Sequence, residues 1–266
     1  MKNLAAGNKG SVQRAAIRGE ATEMYGMDWY ALPMEKYEMW QSCKSVLTAR
    51  QSTFPAAFIA MPYLEAVFAM ELECIRETGE ALGVMRRMLE LIACALREDP
   101  QEAIDEKKTI RILIHGEKLD GIGIEKDGNC VAVTPAMYDG IRKLILWQQG
   151  EDVPDESLND ELLEAERDIA SRNAPRLKYS MTDMLASVAA AMGMRMRDMD
   201  GMTILEFDTM RRAIDRAKHF DLCAQGAAMG AKWENGNPFP SWMFDRDEGR
   251  SGALVSFDRF RNDKKE

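Results

Sequence analysis

Apolar residues recur every three to four positions along most of this chain and at every second position in one central stretch. Pro33 predicts the first turn of a helix in which Tyr37, Trp40, Lys44 and Leu47 share a face, the lysine stem lying along an otherwise apolar stripe. Arg50-Gln51-Ser52-Thr53-Phe54-Pro55 interrupts it. Two helices follow, over about 63–76 and 80–97, the second with Leu82, Met85, Leu89, Ile92 and Leu96 as its stripe; they are expected to pack antiparallel across Thr78-Gly79. After Lys108 the period shortens to two. Ile110, Ile112 and Ile114 alternate with their neighbours, Ile122 and Ile124 flank Gly123, and Val131 and Val133 follow Asp127-Gly128, a pair that tolerates the positive φ of a tight hairpin turn. An antiparallel meander at 109–115, 119–126 and 129–134 follows from this. Thr134-Pro135 then reads as an N-cap and first helical residue, opening a helix to about 149 with Met137, Ile141, Leu144 and Ile145 inward.

Beyond an acidic connector at 151–157, Ser157 and Asp160 start a highly charged helix that ends near Arg172, before Asn173-Ala174-Pro175. Ser180 with Asp183 opens the next helix, where Met184, Leu185, Val188 and Met192 suit a buried stripe. Thr203 with Glu206 opens the longest one, with Phe207, Met210, Ile214, Ala217, Ala224 and Ala228 at about heptad spacing. Residues 1–31 show no sustained period and read as an arm or loosely packed segment. The expected fold is mainly α with a small antiparallel β meander, an α+β class of helical-bundle-like architecture. It divides into the arm (1–31), a helical region with the inserted meander (32–150), and a C-terminal helical region with a Pro/aromatic tail (151–266).

Composition narrows the class. The 266 residues suffice for one large core or two modest ones. The five cysteines are odd in number, widely spaced and without a Cys-x-x-Cys pair, which argues against a disulfide framework or a zinc site. No segment has the apolar length of a signal peptide core or a membrane span, so a soluble protein of a reducing cytoplasm is expected. A net charge of −9 disfavours nucleic acid as a partner. Twenty methionines suit both irregular cores and surfaces that accept a partner.

Candidate chemistry is sparse. His115 and His219 have no cysteine or second histidine at ligand spacing, and no nucleophile signature is present, so no catalytic, metal or cofactor residue is assigned. Gly121-Ile122-Gly123 lacks the third glycine and the following helix of a phosphate loop. Asp198-Met199-Asp200-Gly201 fails calcium-loop spacing and reads as a helix break. Arg211, Arg212, Arg216 and Lys218 are interleaved with Asp208 and Asp215, as on a solvated helix face. Glu151, Asp152, Asp155, Glu156, Asp160 and Glu161 form either a solvated acidic face or a docking site for a basic partner.

Glu206-Phe207-Asp208-Thr209-Met210-Arg211-Arg212-Ala213-Ile214, continuing through Pro238-Phe239-Pro240-Ser241-Trp242, resembles a group of bacteriophage proteins encoded near the tail tape-measure gene, tail-assembly chaperones and related morphogenesis factors. Arg50 to Pro55 and Met61 to Leu64 are phage-like as well, without an assigned role. The resemblance implies a non-enzymatic protein of the bacterial host's cytoplasm, free of cofactors, that binds a tape-measure or tube protein and is compatible with homo-oligomers. Its alternatives are a structural neck, tail or baseplate subunit and an acidic inhibitor of a host defence complex. The meander is a departure that does not map onto the family. The residues expected to contact a partner are Met184, Met192, Phe207, Met210, Phe239, Trp242 and Phe244.

Overall fold

The computed structural model describes residues 8–157, 180–233, 237–239 and 241–243, together with 165, 168 and 169. The fold is mainly α with small antiparallel sheets, as the hydrophobic pattern predicts. Two compact units divide it, Met1–Phe207 and Asp208–Glu266.

The first unit opens with α1 (Lys9–Ile17) and a hairpin of β1 (Thr22–Met24) and β2 (Met27–Trp29). This corrects the expectation of a loose arm for these residues. Val12, Ala16, Met24, Met27 and Trp29 are buried, the Trp29 indole donates to the Met24 carbonyl at 3.0 Å, and Tyr30 N–H donates to Ala95 C=O at 2.7 Å. The elements are too short to establish a period. Their signal was the Tyr25-Gly26 turn, in which both residues take positive φ, 53° and 75°.

A 3₁₀ turn (Met34–Lys36) leads into α2 (Tyr37–Thr48), which buries Trp40, Cys43, Val46 and Leu47. After a second 3₁₀ turn (Gln51–Thr53) come α3 (Tyr63–Thr78) and α4 (Val84–Ala95), which pack on each other. Gly79, left-handed at φ 78°, ends α3. The start expected near Glu80 is displaced because Gly83 is also left-handed, which leaves Leu82 exposed, outside the stripe. Glu71 of α3 supplies the missing cap, its carboxylate accepting from Gly83 N–H at 3.1 Å and Met85 N–H at 2.7 Å.

A π-helical turn (Gln101–Glu106) precedes β3 (Ile110–His115), β4 (Lys118–Lys126) and β5 (Asn129–Val133), an antiparallel sheet in that order. Asp127 and Gly128 turn the second hairpin with φ of 50° and 80°. A register shift between Leu113 and Ile114 breaks the expected alternation, so Ile110, Ile122, Ile124 and Val133 are buried while Ile114 is half exposed. Gly121 sits opposite Leu113 at the shift, with φ 147°, and a Cβ there would overlap the Val133 carbonyl. That glycine serves close strand approach and not a phosphate loop.

Thr134 caps α5 (Pro135–Gln148), its hydroxyl accepting from Met137 N–H. Met137 itself is only half-buried; Tyr138, Ile141, Leu144, Ile145 and Leu146 point inward. Arg142 is also buried. Its guanidinium donates to the carbonyls of Leu47 at 2.8 Å and Ala49 at 2.9 Å and lies 3.6 Å over the Tyr63 ring.

The charged helix read from Ser157 to Arg172 lies largely outside the described residues. Ser180 and Asp183 form the expected capping box on α6 (Met181–Met192), and the Ser180 backbone and side-chain hydrogen bonds hold the Asp183 carboxyl below the usual carboxylate range. The stripe is narrower than predicted: Val188 and Ala189 are buried, Met184 and Leu185 half-buried, and Met192 exposed. A 3₁₀ turn (Met196–Met199) follows. Residues 200–204 then pair with 32–35 through Ile204 N–H to Leu32 C=O at 2.9 Å, Met34 N–H to Met202 C=O at 2.8 Å and a Pro33–Thr203 bridge. The first unit therefore runs to Phe207, well beyond the boundary expected at 150.

Candidate partner-binding surface

The long helix α7 (Ile204–Ala228) begins where Thr203 accepts the Glu206 N–H at 3.1 Å on its hydroxyl. Its first turn buries Ile204, Leu205 and Phe207. Phe207, expected to contact a partner, is 2% exposed, so its ring is engaged in the core and offers no surface. The heptad spacing placed it in a seam without showing that the first turn is covered.

Within the second unit, no residue from Asp208 to Ala228 is buried. Asp208 pairs with Arg211 at 2.6 Å and Arg212 at 2.9 Å, which sets the mixed-charge side that the sequence indicated. Met210, Ile214 and Ala217 are half-buried and Ala224 and Ala228 exposed. Leu222 and Met229, at 62% and 90% exposure, add apolar surface off the seam.

The tail residues meet this helix. Phe239 stacks on His219 with ring centres 4.6 Å apart, and His219 lies 3.6 Å from Asp215. Arg216 donates to the Met243 carbonyl at 2.8 Å. Ala213, Ile214, Arg216, Ala217, Trp242 and Met243 line a shallow pocket of about 360 Å³ with almost wholly apolar walls, Trp242 itself being 59% exposed. Of the predicted contact residues, Trp242 thus joins the α7 seam, Phe239 packs one turn further along, and Met210 continues the seam toward the N-terminus. Met184 and Met192 are on α6 in the first unit, and Phe244 lies outside the described residues.

The acidic connector has a different role from the docking face considered for it. Glu151 pairs with Lys44, Asp152 with Lys9 at 2.5 Å, and Glu156 accepts the N–H groups of Gln51 and Ser52, each at 2.9 Å. It straps α1, α2 and the Gln51 turn together. Asp160 and Glu161 lie outside the described residues. Partial burial alone would raise the Glu156 carboxyl, but the Ser52 and Gln51 amides outweigh it and hold the group below its ordinary value of 4.5. A depressed folded value means the strap is fully present above about pH 4.5 and lost as pH falls through the folded value. The protection of the Gln51 and Ser52 amides, taken relative to their intrinsic exchange rates, should therefore decline below about pH 4.5; a Glu156→Gln variant should show low protection at neutral pH already and lose that dependence. An unchanged pH profile in the variant would contradict the assignment.

Three further perturbed groups lie in the core. Burial raises the Tyr63 hydroxyl to about 12 and the Cys94 thiol to about 11, and lifts the Tyr138 hydroxyl further, so all three stay protonated in packed surroundings. Among the described residues no three His, Cys, Asp or Glu side chains are grouped to hold a metal ion, and no helix is long and apolar enough to cross a membrane. No family model, curated protein or solved structure matches this chain.

Proposed function

We propose that this protein is a phage tail-assembly factor that works by binding, with the apolar helices of the tape-measure protein as its client. The observation that carries the reading is α7 beyond Phe207. A helix of about 37 Å commits only its first turn to the core, yet continues with Met210, Ile214, Leu222 and the exposed Trp242 beside it. An isolated helix is held by packing more than by propensity, so a long span with no buried residue is completed by something that covers it. Methionine and tryptophan suit that cover, because a flexible thioether and a broad ring accept many apolar helix faces. The sequence resemblance of Glu206 to Trp242 supplies the client.

Coexpression with the tape-measure protein of the same phage or prophage is the direct test. The expected result is a soluble complex that copurifies, with affinity lowered about tenfold or more by Leu222→Asp, a loss of roughly 1.4 kcal/mol or greater. A tape-measure protein that stays insoluble and never copurifies would sink the reading. Mass spectrometry of purified virions decides between a chaperone, which is absent from them, and a structural tail subunit, which is present.

A further inference from the structure

Past the end of α7 the chain turns back along the helix. Gly230 takes a positive φ of 89°, its N–H donates to the Ala227 carbonyl at 3.0 Å and the Ala231 N–H to the Gly226 carbonyl at 2.9 Å, which reverses the chain at the helix C-terminus. Trp233 then lies over Gly226, close enough that a methyl added at that glycine would meet the indole at 3.7 Å. Phe239 stacks on His219, Arg216 donates to the Met243 carbonyl, and Trp242 and Met243 line the pocket with Ala213, Ile214 and Ala217. As the tail advances from Trp233 to Met243, its contacts on α7 move back from Gly226 to Ala213. The described tail residues are thus a strap running antiparallel along the helix, and it reaches the apolar seam at Ile214 and Ala217.

The strap keeps its own shape and grips the helix lightly. Phe239 N–H donates to the Asn237 side-chain carbonyl at 2.9 Å and Met243 N–H to the Ser241 hydroxyl at 3.1 Å, while Pro238 and Pro240 have no N–H. Both bonds lie inside the strap, so lifting it from α7 strands neither donor. The contacts it would give up are half-open: Trp242 is 59% and Met243 52% exposed. The hollow of about 360 Å³ that they line with α7 leaves apolar walls that do not meet, and such walls forgo dispersion contact.

We propose that this strap is an autoinhibitory cover, closed over Ile214 and Ala217 in the unbound protein and lifted when an apolar partner helix takes the place of Trp242 and Met243. The inference rests on the assembly reading for the identity of that partner and adds the regulation of its site. Strap and partner cannot hold the same patch together, so only the lifted state binds. With that state at about 1–10% of molecules, apparent affinity is lowered by about 10- to 100-fold, the inverse of its population. The strap therefore shields an apolar helix from casual contacts and yields to a client that covers more of α7 than the strap does.

Fluorine NMR of the full chain labelled with fluorotryptophan tests the strap without a client. The Trp233 and Trp242 resonances, assigned with Trp233→Phe and Trp242→Phe, should move to solvent positions in Phe239→Ala and in His219→Ala. The double variant should move them little further, because both changes remove one stack. Neither residue is buried, so thermal unfolding of the first unit should match the parent. Gly226→Ala, placed in the parent and in every variant, favours helix where the added methyl meets Ala231 and Trp233 at ordinary contact distance, so the strap can be released without losing α7. Anilinonaphthalene sulfonate, a dye that binds exposed apolar surface, and the coexpressed tape-measure protein should each bind the released variants at least about tenfold more tightly than the parent. Unmoved Trp233 and Trp242 resonances in both variants, or dye affinity that does not rise, overturn the proposal. So does a client that binds the released variants more weakly, since the strap would then be a fixed wall of the site. If the client binds parent and variants equally, the strap proposal falls and the assembly reading stands; if it binds none of them, the assembly reading falls and the fluorine and dye results still decide the strap.

Discussion

Arg142→Met should destabilise the fold by about 3–5 kcal/mol. The methionine would occupy much of the same volume but leave the Leu47 and Ala49 carbonyls without their donor, in a site where Arg142 is only 5% exposed. Hydrogen bonds from a charged donor are worth about 1.5–3 kcal/mol each, and a desolvated cation over an aromatic ring adds about 2 kcal/mol, with incomplete additivity among them. Those carbonyls stand at the C-terminal end of α2, the negative pole of that helix, so the guanidinium also neutralises a local field. Arg142→Lys should recover less than half of the loss, because one ammonium cannot span two carbonyls and a ring face as a planar fork does. Urea unfolding gives the answer as a lower midpoint at unchanged slope. A loss under about 1 kcal/mol would mean that water or a neighbour satisfies both carbonyls in the variant.

Gly121→Ala is expected to cost at least about 2–3 kcal/mol and to disturb the sheet more than any other single methyl there. Two effects combine at this residue. Its φ of 147° is a conformation that side chains disfavour, and the added carbon would overlap the backbone carbonyl of Val133, which cannot swing aside as a side chain would. Gly123 is the internal control. A Cβ there meets only side chains, Leu113 at 3.2 Å and Arg111 at 3.5 Å, so Gly123→Ala should be much milder. Amide exchange across β3, β4 and β5 would report the difference; equal protection in the two variants would contradict it.

The elements that could be read from sequence were those with a long period or a complete local signal. The helices at 37–48 and 135–148 show their stripes over about three turns, and Thr134, Ser180 and Thr203 each carry the cap that fixes a start. The meander was legible because Asp127-Gly128 separates two alternating runs. What was missed depends on contacts distant in sequence. Val12 and Ala16 are a single i,i+4 pair, too little to show that α1 is packed, and Leu82 fits the stripe of α4 until the left-handed Gly83 removes it. Phe207 looked like the first residue of a surface seam because its spacing to Met210 and Ile214 is the same whether or not the first turn is covered.

The pairing of 200–204 with 32–35 bears on how the chain is made. Leu32, Pro33 and Met34 leave the ribosome early, yet their backbone partners Met202, Thr203 and Ile204 come near the end of the unit. At about 5–20 residues per second, the early segment waits on the order of ten seconds or more for them. Closing so long a loop also carries an entropic cost that local helix formation avoids. Until then Leu32 and Trp29, both fully buried in the finished unit, are apolar surface on a growing chain. Truncations ending before residue 200 should therefore bind holdase chaperones during synthesis, and release should coincide with emergence of Thr203 and Ile204.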